Sequence, residues 1–296
     1  MDVFLDHETV ADRLGDDDFR VVDVRDAWEF DGIGHLPEAV SIPFDEFRSG
    51  DGEADDATDG TDEAADGTTD TDDADDGDRT DDTADVGMLP GVAAWQDRLS
   101  TAGIETDDTV VAYDDTHGVF AARFVVTALL YGHDPDRLFV LDGDYSAWSR
   151  DRAVARETPT PTPTTYDARS PETVADTPLV DFETVQAALD DDTLLVDTRE
   201  AWEYEEGHLP GAVQLDWLEL VDTDGTRGLH PRERLRTILS ERGIDPERRI
   251  VLYCNTARRI SHTYLVLRHL SFEHVGFYEG SLTEWERRGG RVVTAE

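Results

Sequence analysis

Lysine is absent from this chain of 296 residues, so every positive side chain other than histidine is an arginine. Cysteine is nearly absent: Cys254 stands alone, which excludes an internal disulfide. No apolar run approaches the roughly 20 residues that a membrane-spanning helix needs. Basic charge is scarce as well, with 26 arginines against 69 acidic residues and a formal net charge of −43. Phosphate would meet a strongly negative surface, so nucleic acid and anionic membranes are excluded as partners. One cysteine and scattered histidines supply no ligand cluster at usable spacing, so no metal and no cofactor is expected.

The acidic residues are dense along the whole chain. Such a surface repels itself at low ionic strength and is screened within a few ångströms in molar salt. The composition resembles that of a cytosolic protein from a salt-accumulating halophile, and archaeal origin is expected. The first residues, Met1 to Asp6, lack a basic leader region, so a cytoplasmic location is expected.

An internal repeat organises the chain. Val21 to Phe30 matches Leu195 to Tyr204, and each copy runs on into Gly-His-Leu-Pro, at Gly34–Pro37 and Gly207–Pro210. Thr109–Tyr113 then corresponds to Arg249–Tyr253, and Leu141–Trp148 to Tyr278–Trp285. Landmarks in the same order mean one fold used twice. Each half alternates β-branched runs with helical patterns, predicting α/β with a mainly parallel sheet flanked by helices. In the second half, strands are predicted at 194–197, 250–253 and 274–278, and helices at 231–242 and 260–270. The expected division is residues 1–152, a linker at 153–178 built around the Pro-Thr alternation, and 179–296. Residues 49–86 are almost entirely Asp, Glu, Thr, Gly and Ala, and are expected to form a disordered acidic insertion.

Cys254 follows the apolar run Ile250–Tyr253 and precedes Asn255-Thr256-Ala257-Arg258-Arg259 and a helical pattern. Strands of a parallel sheet present ligand sites at their carboxyl ends, and Cys254 lies at such an end. Backbone N–H groups at a helix start and two neighbouring guanidinium groups favour a thiolate there. Such a thiolate is suited to attack an anionic sulfur donor, with the N–H groups of residues 255–259 as the cradle. Arg258 and Arg259 are the candidates for holding the donor's oxygens. Aligning the repeats puts Asp114 where Cys254 stands, so only the second half carries a nucleophile.

Taken together, the Asp-x-Arg-x-x-x-Glu-[Phe/Tyr] and Gly-His-Leu-Pro elements, the strand-Cys-loop-helix and the segment Phe277–Trp285 resemble the tandem-domain rhodanese family of thiosulfate and 3-mercaptopyruvate sulfurtransferases. The resemblance implies two rhodanese-like domains and a catalytic Cys254 that carries a persulfide. Thiosulfate is the implied donor, and cyanide or a thiol the implied acceptor. It leaves two alternatives open: a persulfide carrier fed by a protein donor, and a 3-mercaptopyruvate enzyme. Tyrosine phosphatases resemble Cys-x5-Arg; here that arginine position is Ile260, one residue past Arg259, which argues against phosphate esters. Animal thiosulfate enzymes resemble Cys-Arg-Lys-Gly-Val-Thr, and their further arginine four residues after Asp-x-Arg is replaced here by Glu203. Asp197 and Arg199 are expected to join strand and loop by ion pairing, as are Asp23 and Arg25. For His262 two roles stay open, tuning the thiolate or packing the helix.

Overall fold

The computed structural model of the protein describes residues 2–49 and 88–294. Apart from Ser49, the expected acidic insertion lies outside them. In the first half β1 (Phe4–Leu5), α1 (His7–Arg13), β2 (Phe19–Asp23), α2 (Ala27–Gly32) and β3 (Val40–Ser41) precede that segment. After it come α3 (Val92–Thr101), β4 (Thr109–Tyr113), α4 (Val119–Leu130), β5 (Leu138–Leu141) and α5 (Tyr145–Asp151). The second half runs α6 (Phe182–Ala188), β6 (Leu194–Asp197), α7 (Ala201–Glu206), β7 (Val213–Gln214), α8 (Arg232–Glu241), β8 (Ile250–Tyr253), α9 (Arg258–His269), β9 (Val275–Phe277) and α10 (Ser281–Arg287).

The strands form two all-parallel sheets, in the orders β1-β5-β4-β2-β3 and β7-β6-β8-β9. Leu179 bridges in parallel to Phe277 at the free edge of the second sheet, as Phe4 pairs with Val140 in the first. The central strands β4 and β8 are buried throughout, which is why their sequences are continuous apolar runs without alternation. Asp6 and Asp181 start α1 and α6 by accepting the N–H of Thr9 (2.7 Å) and Thr184 (2.8 Å).

One predicted helix start moves by two residues. The helix after Cys254 begins at Arg258 and not at 260, because Ala257 adopts a left-handed conformation (φ 63°) that turns the chain into α9 early. Both arginines therefore sit in the first helical turn. The Pro-Thr stretch lies along the first half, where Thr164 N–H donates to Ser100 O (2.9 Å) and Tyr166 is fully buried against His133.

The halves meet through α4 and α9, and the principal core is continuous across them, joining Val22, Ala112 and Phe124 to Val196, Leu252 and Leu265. Helix α4 is apolar on every side because its own sheet covers one face and the second half the other. Arg123 is the one charged residue in that helix. Its guanidinium, 1 % exposed, crosses to Glu279 in two parallel hydrogen bonds of 2.8 and 2.5 Å. A hairpin closed by Val221 and Leu229 returns the contact, placing Arg227 against both oxygens of Asp144 (2.8 and 2.7 Å).

Removing one member of a buried pair leaves the other charge uncompensated, at a cost of about 3–5 kcal/mol. Urea unfolding in molar KCl is expected to show that loss for Glu279→Ala, which strands the buried Arg123, and a smaller one for Arg123→Met plus Glu279→Leu together.

Candidate active site

Each half repeats one polar scaffold. Asp197, fully buried, holds Arg199 by 2.9 and 2.6 Å hydrogen bonds, and Arg199 passes a further 2.6 Å bond to the carbonyl of Gly207. Leu209 N–H donates to the hydroxyl of Tyr253, the residue before Cys254 (3.1 Å). His208 stacks on Tyr204 with ring centroids 3.7 Å apart. Asp23, Arg25, Gly34, Leu36, Tyr113, His35 and Phe30 make the equivalent contacts in the first half. Burial alone would weaken the charge on Arg199, but its hydrogen bonds and proximity to Asp197 raise its pKa. Thus the Asp-x-Arg and Gly-His-Leu-Pro elements are two ends of one buried network, and Asp197 and Arg199 support the loop without lining its mouth.

Cys254 leaves β8 with 1 % of its surface exposed. Its N–H donates to Ser281 Oγ (3.2 Å) and its carbonyl accepts from Leu282 N–H (2.9 Å), so the start of α10 clamps the backbone on both sides. Among the described residues nothing accepts from the backbone N–H groups of Asn255, Thr256, Ala257, Arg258 or Arg259. The first half shows what such a loop binds. There Asp114 replaces the cysteine, and its carboxylate accepts from Thr116, Gly118 and Phe120 N–H at 2.8 Å and from Ala121 N–H at 3.0 Å. Burial pushes the Asp114 carboxyl up, and the four N–H groups pull it back toward the ionised form. One loop carries its own anion; the other leaves its donors open around a thiol.

The guanidinium groups near Cys254 divide. Arg259 is bound through both terminal nitrogens to Glu203, which also accepts from Asn255 Nδ2 (2.9 Å). Arg258 forms no ion pair with any described residue and lies over the ring of Phe120, 4.9 Å from its centroid, a residue of the first half. Burial and then Arg259 hold the Arg258 pKa below the ordinary arginine range, whereas the charge of a Cys254 thiolate raises it. The same charge acts on Arg259 and, from across the interface, on Arg123. Cations in the first turn of α9 oppose the helix dipole, so an anion there is favoured doubly.

His262 is brought close in sequence but not in function. Its ring packs edge-on against Trp217 (5.1 Å) and Phe4 (6.0 Å), and neither nitrogen has a hydrogen-bond partner among the described residues. Burial, with a smaller contribution from His117, lowers its pKa to about 3. Burial thus favours the neutral ring, and its observed contacts are those of core packing. No group of three or more His, Cys, Asp or Glu side chains among the described residues is arranged to hold a metal. Sequence reasoning missed Glu203 as a partner of the loop, and Arg123 and Phe120 as neighbours from the other half.

The sequence pattern of the family described as the rhodanese-like domain matches residues 6–151 and 181–288. A thiosulfate sulfurtransferase of Pseudomonas aeruginosa is 32 % identical over 209 residues, covering 67 % of this chain and 74 % of the relative. A putative thiosulfate sulfurtransferase of Haloferax volcanii is 29 % identical over 223 residues, covering 67 % and 73 %. Among solved structures, a 3-mercaptopyruvate sulfotransferase of Escherichia coli superposes with a TM-score of 0.72 at 19 % identity, over 95 % of this chain and 99 % of its own. An anaerobic ergothioneine biosynthesis enzyme of Chlorobium limicola gives 0.71 at 18 %, over 95 % and 65 %. The structural likenesses show the shared fold.

Two outcomes test this geometry. Asp114→Asn turns an amide NH2 toward N–H donors and is expected to cost about 2–3 kcal/mol in urea unfolding. His262 binds a proton in the unfolded chain near the ordinary histidine value of 6.5 but in the folded one only near 3, so stability is complete above 6.5 and falls as pH drops toward 3. That slope is at most about 1.4 kcal/mol per pH unit for one proton, and unfolding free energies measured from pH 7 to 4 should flatten by that amount in His262→Leu.

Proposed function

The chain belongs to the rhodanese-like family, and from that premise we propose that it is a sulfurtransferase moving sulfane sulfur from thiosulfate to cyanide or a thiol through a persulfide on Cys254. The observation that carries the reading is the contrast between the two loops: four N–H groups close on Asp114, while the N–H groups after Cys254 and the neighbouring Arg258 guanidinium have no acceptor or ion-pair partner among the described residues.

The chemistry follows from that arrangement. The Cys254 thiolate attacks the outer sulfur of thiosulfate; a Cys–S bond forms, the donor's S–S bond breaks, and its electron pair leaves on sulfite. Arg258 neutralises the donor's oxygens on arrival and the sulfite on departure. The terminal sulfur of the persulfide carries the negative charge that the open N–H groups of residues 255–259 are placed to stabilise. Cyanide or an external thiolate then takes that sulfur and returns the cysteine as thiolate. No second cysteine exists to resolve the persulfide within the chain, so the acceptor is external. Partners in this reading are small anions and thiols, not nucleic acid or membrane; no helix of the described residues is long and apolar enough to cross one. The net charge of −43 without lysine supports a cytoplasmic protein of a salt-accumulating organism.

Mass spectrometry of thiosulfate-treated protein should find one added sulfur on the peptide containing Cys254, and thiocyanate formation in molar KCl should vanish in Cys254→Ser. Full activity in that variant would remove the mechanism. Side-by-side rates should favour thiosulfate over 3-mercaptopyruvate, and a reversed preference would reassign the donor.

A further inference from the structure

Glu203 makes more contacts to the Cys254 loop than any donor-facing role allows. It is 7 % exposed, and both carboxylate oxygens are filled. Oε1 accepts from Asn255 Nδ2 (2.9 Å) and Arg259 (3.1 Å); Oε2 accepts from Glu200 N–H (3.0 Å) and from the other terminal nitrogen of Arg259. A carboxylate offers about four lone-pair sites, so none remains for a substrate. Its contacts fall on the residue after Cys254 and on the second residue of α9, at the two ends of the loop. Asn255 is fixed from the other side too, since its Oδ1 accepts from Arg199 (3.4 Å) and its carbonyl from Thr283 Oγ1 (2.9 Å). Burial raises the pKa of Glu203, but Arg259 and the other donors outweigh it and leave the group lowered and ionised.

The repeat supplies an internal comparison. Glu29 is the same residue at the same place, four after Arg25, and it bonds to Asp26 N–H (3.3 Å) as Glu203 does to Glu200. The loop facing it offers no cation: Phe120 stands where Arg259 does and Asp115 where Asn255 does. Its nearest charge partner is Arg25 at 4.0 Å, and burial raises its pKa. The glutamate is thus common to both halves, while its attachment to the loop exists only in the half with a thiol.

We propose that Glu203 is a positioning residue for sulfur transfer, with Arg259 as its counter-ion, and that this pair leaves Arg258 as the specificity-determining cation for the donor. The inference rests on the sulfurtransferase reading. Glu203 sets the loop through Asn255 and Arg259 so that the N–H groups of residues 255–259 converge above Cys254, and Arg259 does not meet the donor.

Thiosulfate-to-cyanide kinetics of the full chain in molar KCl separate these roles. Arg258→Gln is expected to raise the thiosulfate KM about tenfold, while Arg259→Gln and Glu203→Gln lower kcat about tenfold with KM changed less than threefold, the pattern of lost positioning. Because the two act as a unit, the double variant Glu203→Gln plus Arg259→Gln should lose about as much as either alone. Glu29→Gln, the matched change in the other half, should leave kcat within twofold, which separates loop positioning from a general loss of fold. The inference is overturned if Arg259→Gln raises KM as Arg258→Gln does, if the double loss equals the product of the single ones, or if Glu29→Gln matches Glu203→Gln. Wild-type protein that takes no sulfur from thiosulfate would instead remove the sulfurtransferase reading itself.

Discussion

The buried Asp–Arg pair at the end of β2 and of β6 is the constraint on which the rest of each half depends. Taking two charges out of water costs several kcal/mol per ion, and a pair of apolar residues would match or exceed its stability. What apolar residues do not do is fix directions. Arg199 has bonds committed to Asp197, to Gly207 O and to Asn255, so a single guanidinium ties the strand end, the Gly-His-Leu-Pro turn and the thiol loop into one register. Tyr253 adds a tie from the neighbouring strand to Leu209. A loop that must aim several N–H groups at one point requires fixed directions more than it requires added stability.

On that common scaffold the two halves diverge in the loop after the central strand, above all at its first residue, and the consequences run outward. Asp114 makes the first loop self-sufficient: its carboxylate satisfies four donors, and the half becomes a rigid wall. The loop that contains it is one residue longer before its helix, Gly118 taking the left-handed position that Ala257 takes in the second half. That wall is not inert. It contributes Phe120 beneath Arg258 and Arg123 against Glu279, whose chain neighbours lead directly to the Ser281 hydroxyl at the Cys254 backbone. The duplicated fold is therefore asymmetric in chemistry and reciprocal in structure, since Arg227 of the second half closes on Asp144 of the first.

Much of this was legible before any coordinates, because its signals are local. A continuous apolar run ending in cysteine, a repeated Asp-x-Arg, and an aspartate at the matching position each lie within a few residues. At Arg259 the sequence shows only a cation near the thiol, because its partner lies 56 residues away and no local pattern states that Glu203 turns toward it. Arg123 carries a readable signal. A lone arginine inside the otherwise uncharged, mostly apolar stretch from Val119 to Leu130 must be buried, and a buried guanidinium needs a carboxylate, although which one depends on docking of the two halves. The start of α9 is hidden in the sequence for a similar reason. Helical periodicity begins at Ile260, but the left-handed turn at Ala257, an alanine where glycine would be expected, fixes the first turn earlier.

The placement of charge also separates what salt can reach from what it cannot. With a net charge of −43, the exterior repels an anionic donor at low ionic strength, and at about 1 M salt a Debye length near 3 Å confines that repulsion to the immediate surface. Asp197 with Arg199, Glu203 with Arg259 and Glu279 with Arg123 are buried or nearly so, and mobile ions do not enter between partners in hydrogen-bond contact. High salt therefore weakens the part of the field that opposes substrate approach and spares the part that organises the loop. Arginine suits the second task better than lysine, because its planar fork meets a carboxylate through two parallel bonds and binds water less tightly when buried. A chain without lysine, acidic outside and arginine-tied within, is consistent at both levels: its surface requires salt to be tolerable to an anion, and its site does not lose its geometry when the salt is there.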